Sequence, residues 1–211
     1  MKTNGYLGLI AAVALALPAL ASAQAGDFMM RGRVTRLTPA DKSQAIPALG
    51  VPADAIEVSA KTIPEVDFVY FFTNRFAAEL VLTIPQEHDV TIKGVGKIGS
   101  FKHLPPTLLA QYYFAPKAAF SPYVGAGINL TLISSVNLNV PGVGALDLES
   151  SSVGAAVQAG FDYAVDKHWA INVDFKYVQI RSDVTLKSTG AKVSEVKVDP
   201  TLISVGVAYR F

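Results

Sequence analysis

Apolar and polar residues alternate one by one along most of this chain. That period-2 pattern is the signature of β-strands with two unlike faces. In "TLISVGVAYRF", Ile203, Val205, Val207, Tyr209 and Phe211 share a face, opposed by Leu202, Ser204, Gly206, Ala208 and Arg210. In "HWAINVDFKYVQI", Trp169, Ile171, Val173, Phe175 and Tyr177 oppose Asn172, Asp174 and Lys176. The same reading places Val153 to Tyr163 against Gly154 to Asp162, and Val124, Ala126, Ile128 and Leu130 against Gly125, Gly127, Asn129 and Thr131. In the first half, Phe28, Met30 and Val34 oppose Met29, Arg31 and Arg33. Val66, Phe68, Tyr70 and Phe72 oppose Glu65, Asp67, Val69 and Phe71. Phe76, Leu80 and Leu82 oppose Ala77, Glu79 and Val81, and Leu108, Ala110, Tyr112 and Phe114 oppose Leu109, Gln111 and Tyr113.

The pattern predicts eight strands of about 9–12 residues, the length that crosses a bilayer at a tilt. Short turns near Thr73–Arg75, Pro116–Ser121 and Asp166–His168 alternate with long loops at roughly 38–63, 86–105, 133–151 and 183–198. Short periplasmic turns and long outer loops describe an all-β, eight-stranded antiparallel transmembrane barrel. Both termini then fall on the periplasmic side.

Composition agrees. Half the chain is hydrophobic (51%) and only 17% is charged, against about 25% in soluble domains. One run approaches the length of a spanning helix. Lys2 precedes an Ala/Leu/Val stretch from Leu7 to Leu20, and Ala21–Ser22–Ala23 has the small-x-small form of a cleavage site. Residues 1–23 read as a cleaved secretory signal and 24–211 as the barrel; the alternative is a retained anchor helix. Without Lys2 the chain balances 17 basic against 17 acidic side chains, which gives no reason to expect a nucleic-acid partner. The absence of cysteine excludes a disulfide framework. A greasy exported chain whose apolar residues are spread over strands must close those strands into a barrel within lipid. A secreted lipid-binding barrel is the rival, but the minority face holds the charges and the large aromatics crowd the other face. Aromatic girdles at both membrane interfaces are expected.

"IGSFKHLPPTLLAQYYF", "SPYVGAGIN", "AGFDY", "INVDFKYV", "DPTLISVGVAYRF" and "IPQEHDV" together resemble the OmpW family of small outer-membrane barrels, which includes the alkane-uptake protein AlkL. The resemblance covers essentially the whole chain after residue 23. It implies location in the Gram-negative outer membrane and passive uptake of small hydrophobic molecules. Their route would run from outside into the barrel and sideways through the wall. The terminal Phe211, with Tyr209, resembles the signal read by the outer-membrane assembly machinery. The first long loop, "QAIPALGVPADAIEV", is apolar and falls where the family varies.

Eight strands enclose a lumen that side chains can fill. Arg31, Arg33, Asp67, Glu79, Asp174 and Lys176 all point inward by the alternation and are expected to pair as a lumen ion-pair network that plugs the lower barrel. Val69, Phe71, Val81, Leu109, Tyr113 and Leu202 also point inward and form a candidate substrate path; the plainer reading is that they fill a tapering barrel. Pro39, Pro64, Pro85, Pro105, Pro106 and Pro200 fall at the loop-side ends of neighbouring strands. Proline cannot donate to a ladder, so this rim is a candidate lateral exit, against ordinary strand termination. His88 and His103 with Asp89 make at most a weak metal site, and hydrogen bonding within the loop is the expected role. No Ser-His-Asp spacing indicates catalysis, and no cofactor is called for. The expected state is a monomer in lipid that conducts small apolar solutes. The alternatives are a structural or adhesive surface barrel and a narrow ion channel.

Overall fold

The computed structural model describes residues 23–46 and 51–211. Apart from Ala23, the expected signal segment lies outside these residues. In chain order the strands are β1 (Phe28–Thr38), β2 (Lys42–Ser43), β3 (Ile56–Val58), β4 (Lys61–Phe71) and β5 (Phe76–Thr83). There follow β6 (Gln86–Ile92), β7 (Gly96–Leu104), β8 (Thr107–Tyr113), β9 (Phe120–Val140) and β10 (Gly144–Leu148). The last are β11 (Ser151–Ala164), β12 (Trp169–Val178), β13 (Arg181–Leu186), β14 (Lys192–Lys197) and β15 (Thr201–Arg210).

Eight of these close the wall. The order is β1, β4, β5, β8, β9, β11, β12 and β15, which returns to β1, with every pair antiparallel. These are the eight strands that the alternation predicts. Their turns are held by side chains that mimic backbone. Thr73 Oγ1 accepts from the amides of Arg75 and Phe76, and Asp166 Oδ1 accepts from those of His168 and Trp169.

The polarity of the faces decides the environment. Outward Val34 and Val153 are 63% and 74% exposed, whereas inward Arg31 and Glu79 are fully buried. A wall that is apolar outside and charged inside suits lipid, not water. One expectation changes. The outward aromatics gather at the short-turn end, where Phe28, Tyr70, Phe76, Tyr112, Phe120, Tyr163, Trp169 and Tyr209 sit near the strand ends. Among the described residues, Tyr177 is the outward aromatic at the outer end of a wall strand. The girdle is therefore one-sided, because above the outer rim the sheet continues as protein.

The four long loops are not loops. At 21 residues β9 runs to about 70 Å, twice the thickness of the hydrocarbon core. Its outer half pairs with β7 on one side and β10 on the other. β7 pairs β6, which pairs β3; β10 pairs β13, which pairs β14, which pairs β2. The ends β2 and β3 meet: the Asp54 amide donates to the Ser43 carbonyl at 3.0 Å, and the Ile56 amide to Ser43 Oγ at 3.4 Å. A second ring thus stands on the first, with β9 shared. At Ser135 (φ 52°), where β7 also slips register, β9 carries two successive outward residues. That bulge resets which residues face inward for the upper ring.

Candidate functional site

The lumen has two tiers, and individual wall strands pass through them at matching heights. From the short-turn end outward, β1 presents Met29, then Arg31 and Arg33, then Leu37. β4 presents Phe71 and Val69, then Asp67 and Glu65, then Ile63; β5 presents Ala77, Glu79 and Val81. The charged level lies between two apolar clusters.

In the charged level, the Arg31 guanidinium pairs with Glu79 and donates to Asp162 at 2.8 Å and to the Tyr113 hydroxyl at 2.6 Å. Its carbon sits 4.9 Å above the Tyr123 ring. Arg33 Nε lies 2.8 Å from Glu65 and 2.7 Å from Asp67, and its terminal nitrogens reach Glu79 and Asn172. Lys176 Nζ bridges Asp174 at 2.7 Å and Glu65 at 3.2 Å. Gln111 and Gln158 both donate to Glu79 Oε2, at 2.9 and 2.8 Å. Three cations thus face five carboxylates from five strands, and Gln111, Gln158 and Asn172 add neutral donors to Glu79 and Asp162. All six residues of the expected network meet here. Glu65 and Asp162 join them; Asp162 has the inward parity of Gln158, so the alternation already held that signal. The layer fits because small residues leave room. A Cβ on Gly206 would lie 2.8 Å from Arg33 Cγ, and one on Gly160 would lie 2.6 Å from the Tyr123 hydroxyl.

The six candidate path residues do not form one path. Val81, Leu109 and Leu202 belong to the apolar cluster above the charged layer. Val69, Phe71 and Tyr113 belong to the cluster below it, and Tyr113 is bound into the layer through its hydroxyl. The reason is that inward parity says nothing about height. The upper chamber is built mainly by residues from the expected loops. Ile56, Val90, Ile92, Phe101, Ile133, Leu138, Val140, Leu146, Val184 and Val196 line it, around a free volume of about 30 Å³. Their signal was present as short alternations such as His88, Val90 and Ile92 against Glu87, Asp89 and Thr91.

The prolines also separate. Pro64 is inside β4, paired with Val34, because that strand starts three residues earlier than its proline. The Pro200 carbonyl accepts from Val178, and the Ala40 amide beside Pro39 donates to Val198, so the ladder is bonded there. The wall is interrupted elsewhere. The β5–β8 pairing ends at Val81 and Thr107, and pairing resumes in the second ring at Gln86 and His103. Between them stand Leu82–Pro85 on one side and Leu104–Pro106 on the other. The β4–β5 pairing likewise ends at Glu65 and Thr83, and the next tie is Ser59 to Asp89. Across the β4–β5 break Thr83 Oγ1 donates to the Pro64 carbonyl at 2.8 Å; the Pro105 and Pro106 carbonyls are held on the β9 side, by Asn129 Nδ2 at 3.2 Å. Behind this gap is a second small cavity of about 20 Å³, lined by Val81, Thr83, Pro105, Thr107, Leu202 and the charged Glu65 and Lys176. It sits between the chamber and the charged layer.

At the upper edge of the gap, His88 and His103 stack with ring centroids 4.6 Å apart and planes 14° apart. Both are buried, and His103 lines the chamber. Asp89 does not join them; it faces outward and pairs with Lys97 at 2.9 Å. Burial, and the neighbouring His88, hold the His103 imidazole down to about 3, and burial also lowers His88. Both rings are neutral at neutral pH. Among the described residues no group of three or more His, Cys, Asp or Glu side chains is placed to hold a metal.

The model of the OmpW family matches residues 24–211. The chain belongs to the OmpW family. Outer membrane protein W of Escherichia coli (strain K12) is 34% identical over 194 residues, covering 89% of this chain and 90% of that protein. The crystal structure of the outer membrane protein OprG from Pseudomonas aeruginosa superposes with a TM-score of 0.76 at 31% identity, covering 92% of this chain and 99% of that one. The dibenzothiophene metabolism operon protein PahQ of Pseudomonas aeruginosa is 26% identical over 169 residues, 77% of this chain and 76% of that protein. This OmpW-family chain is accordingly an outer-membrane barrel, and its short-turn end is periplasmic.

Proposed function

We propose that the barrel takes up small hydrophobic molecules by passive diffusion, through the upper chamber and out sideways at the gap beside Leu82–Pro85. One observation carries this reading: an apolar chamber is closed below by a paired charged layer, and the wall ladder is broken immediately above that layer. An apolar solute that enters the chamber gains nothing by crossing buried ion pairs. The gap leads it to lipid instead. The name of PahQ, a relative tied to dibenzothiophene metabolism, agrees with an apolar solute. On the same reading residues 1–23 are removed on export, Phe211 is read during assembly, and the barrel works as a monomer.

The test uses cells that carry or lack the barrel and radiolabelled octane. Thr83→Trp places a bulky ring in the gap, and uptake is expected to fall to the level of barrel-free cells. Pro39→Ala, on the bonded side, is expected to leave uptake unchanged. A folded Thr83→Trp barrel with undiminished uptake overturns the lateral route. A second reading is a structural surface barrel, favoured by the tight filling of the lumen, whose free volume of about 30 Å³ holds little more than a water molecule. Wild-type uptake no faster than in barrel-free cells selects that reading.

A further inference from the structure

His103, which lines an otherwise greasy chamber, and His88 stacked on it make an unusual pair. His88 Nδ1 lies 2.6 Å from the Ser59 carbonyl oxygen. A carbonyl only accepts, so Nδ1 carries the proton of the neutral ring and Nε2 is left as a bare acceptor. That Nε2 is buried and has no donor within the protein. The Nε2 of His103 is also buried without a partner, on a ring that lines the chamber. Buried polar atoms are ordinarily hydrogen-bonded, and an exception calls for a reason. Around His103 the chamber offers Phe101 and Ile133 as apolar contacts.

We propose that the histidine pair is a hydrogen-bonding station for the polar head of the transported molecule, and that the class favoured is small apolar compounds carrying one O–H donor, such as aliphatic alcohols. The inference rests on the uptake reading and names its substrate class. The apolar body lies against the chamber wall while the hydroxyl donates to an imidazole Nε2. A carboxylate is disfavoured, because it brings no proton to the bare Nε2 of His88 and its charge is costly in an apolar chamber. Two charged groups act on His88: Asp89 faces outward against Lys97, while Lys61 stands at the start of β4 on the inward parity of Ile63 and Glu65. The station stands where the route turns: Gln86–His103 is the first pair above the gap, and His88 ties that edge to Ser59.

The experiment is nitrogen NMR on the full barrel in lipid nanodiscs, with ¹⁵N-labelled histidine. The chain has three histidines, and His168, in a periplasmic turn, serves as the internal control. 1-Octanol is expected to move the Nε2 resonances of His88 and His103 but not those of His168, while octane leaves all three in place. His103→Phe keeps a stacking ring but removes its polar nitrogens from the chamber, so the preference for octanol over octane should drop roughly three- to tenfold. If octane moves the resonances as octanol does, or if neither moves them, the inference is overturned. Uptake of both compounds by cells is followed separately. Uptake without the octanol-specific shift overturns the station and leaves the conduit standing. The shift without uptake removes the conduit and keeps the binding site.

Discussion

The lower and upper halves of this molecule are built by the same device with opposite polarity. In the wall, apolar side chains face out and Arg31, Arg33, Glu79 and Asp162 face in. In the upper ring, Ile92, Leu138 and Val184 face in, while Lys93–Glu57, Lys97–Asp89 and Lys192–Asp183 pair on the outside. The difference is the surrounding solvent. Lipid rewards an apolar outer face and forces charges to meet one another inside. Water rewards the reverse, as in any soluble barrel. The crossing point between the two regimes is where the ladder breaks and where the small cavity behind Thr83 lies. The exit and the binding station proposed above both lie at this seam, where neither tier extends its pattern.

The comparison can be broken by matched substitutions. Arg33→Met leaves Glu65, Asp67 and Glu79 buried without their shared cation, and it should destabilise the barrel by ~3–5 kcal/mol in chemical unfolding. A loss below 1 kcal/mol would mean that the lower layer is not held by charge. Acid should act on the other tier. His103 sits at about 3 when folded, below its ordinary 6.5, so an opened upper ring binds the proton first. The ring's stability is full above pH 6.5 and is lost as the pH falls toward 3, by roughly 1.4 kcal/mol per unit. His88 is shifted the same way. Protection factors of amides in β6 and β7, taken against the intrinsic exchange rate at each pH, should therefore fall by up to about tenfold per unit below pH 6.5, while those in β1 and β15 hold. His103→Phe should weaken that response. Within the chamber, Ile133→Met should cost less than ~1.5 kcal/mol, since apolar volume is conserved; a cost near that of Arg33→Met would erase the contrast between tiers. At the seam, Thr83→Val removes one hydrogen bond to Pro64 and should cost ~1 kcal/mol. On the outer face, Lys97→Ala breaks an exposed pair and should leave the unfolding midpoint unchanged.

The wall was legible in the sequence, down to strand count and facing, because lipid enforces strict alternation over nine or more residues. The charged layer was legible for the same reason: Arg31, Asp67, Glu79 and Lys176 could only point inward. The upper ring was not. Its strands run as short as two or three residues, interrupted by glycines and bulges, and β2 and β3 gain meaning only from partners far along the chain. The heights of the candidate path residues were hidden for a related reason. Tyr113 and Leu109 share parity and strand, yet one is tied into the ion layer and the other lies above it. The prolines of the expected rim part ways in the structure: Pro85, Pro105 and Pro106 flank the gap, while Pro39 and Pro200 stand on a bonded edge.

By itself, then, the sequence determined an eight-stranded lipid-facing barrel, because a period of two read against a membrane admits one inside and one outside. Only the tertiary structure decided height and partnership: that the charges form one closed layer, that the long connections rise into a second ring of reversed polarity, and that His88 and His103 stack at the seam, each with a buried Nε2 left without a protein partner. Those facts depend on register between strands distant in sequence, and alternation within one strand carries no information about register.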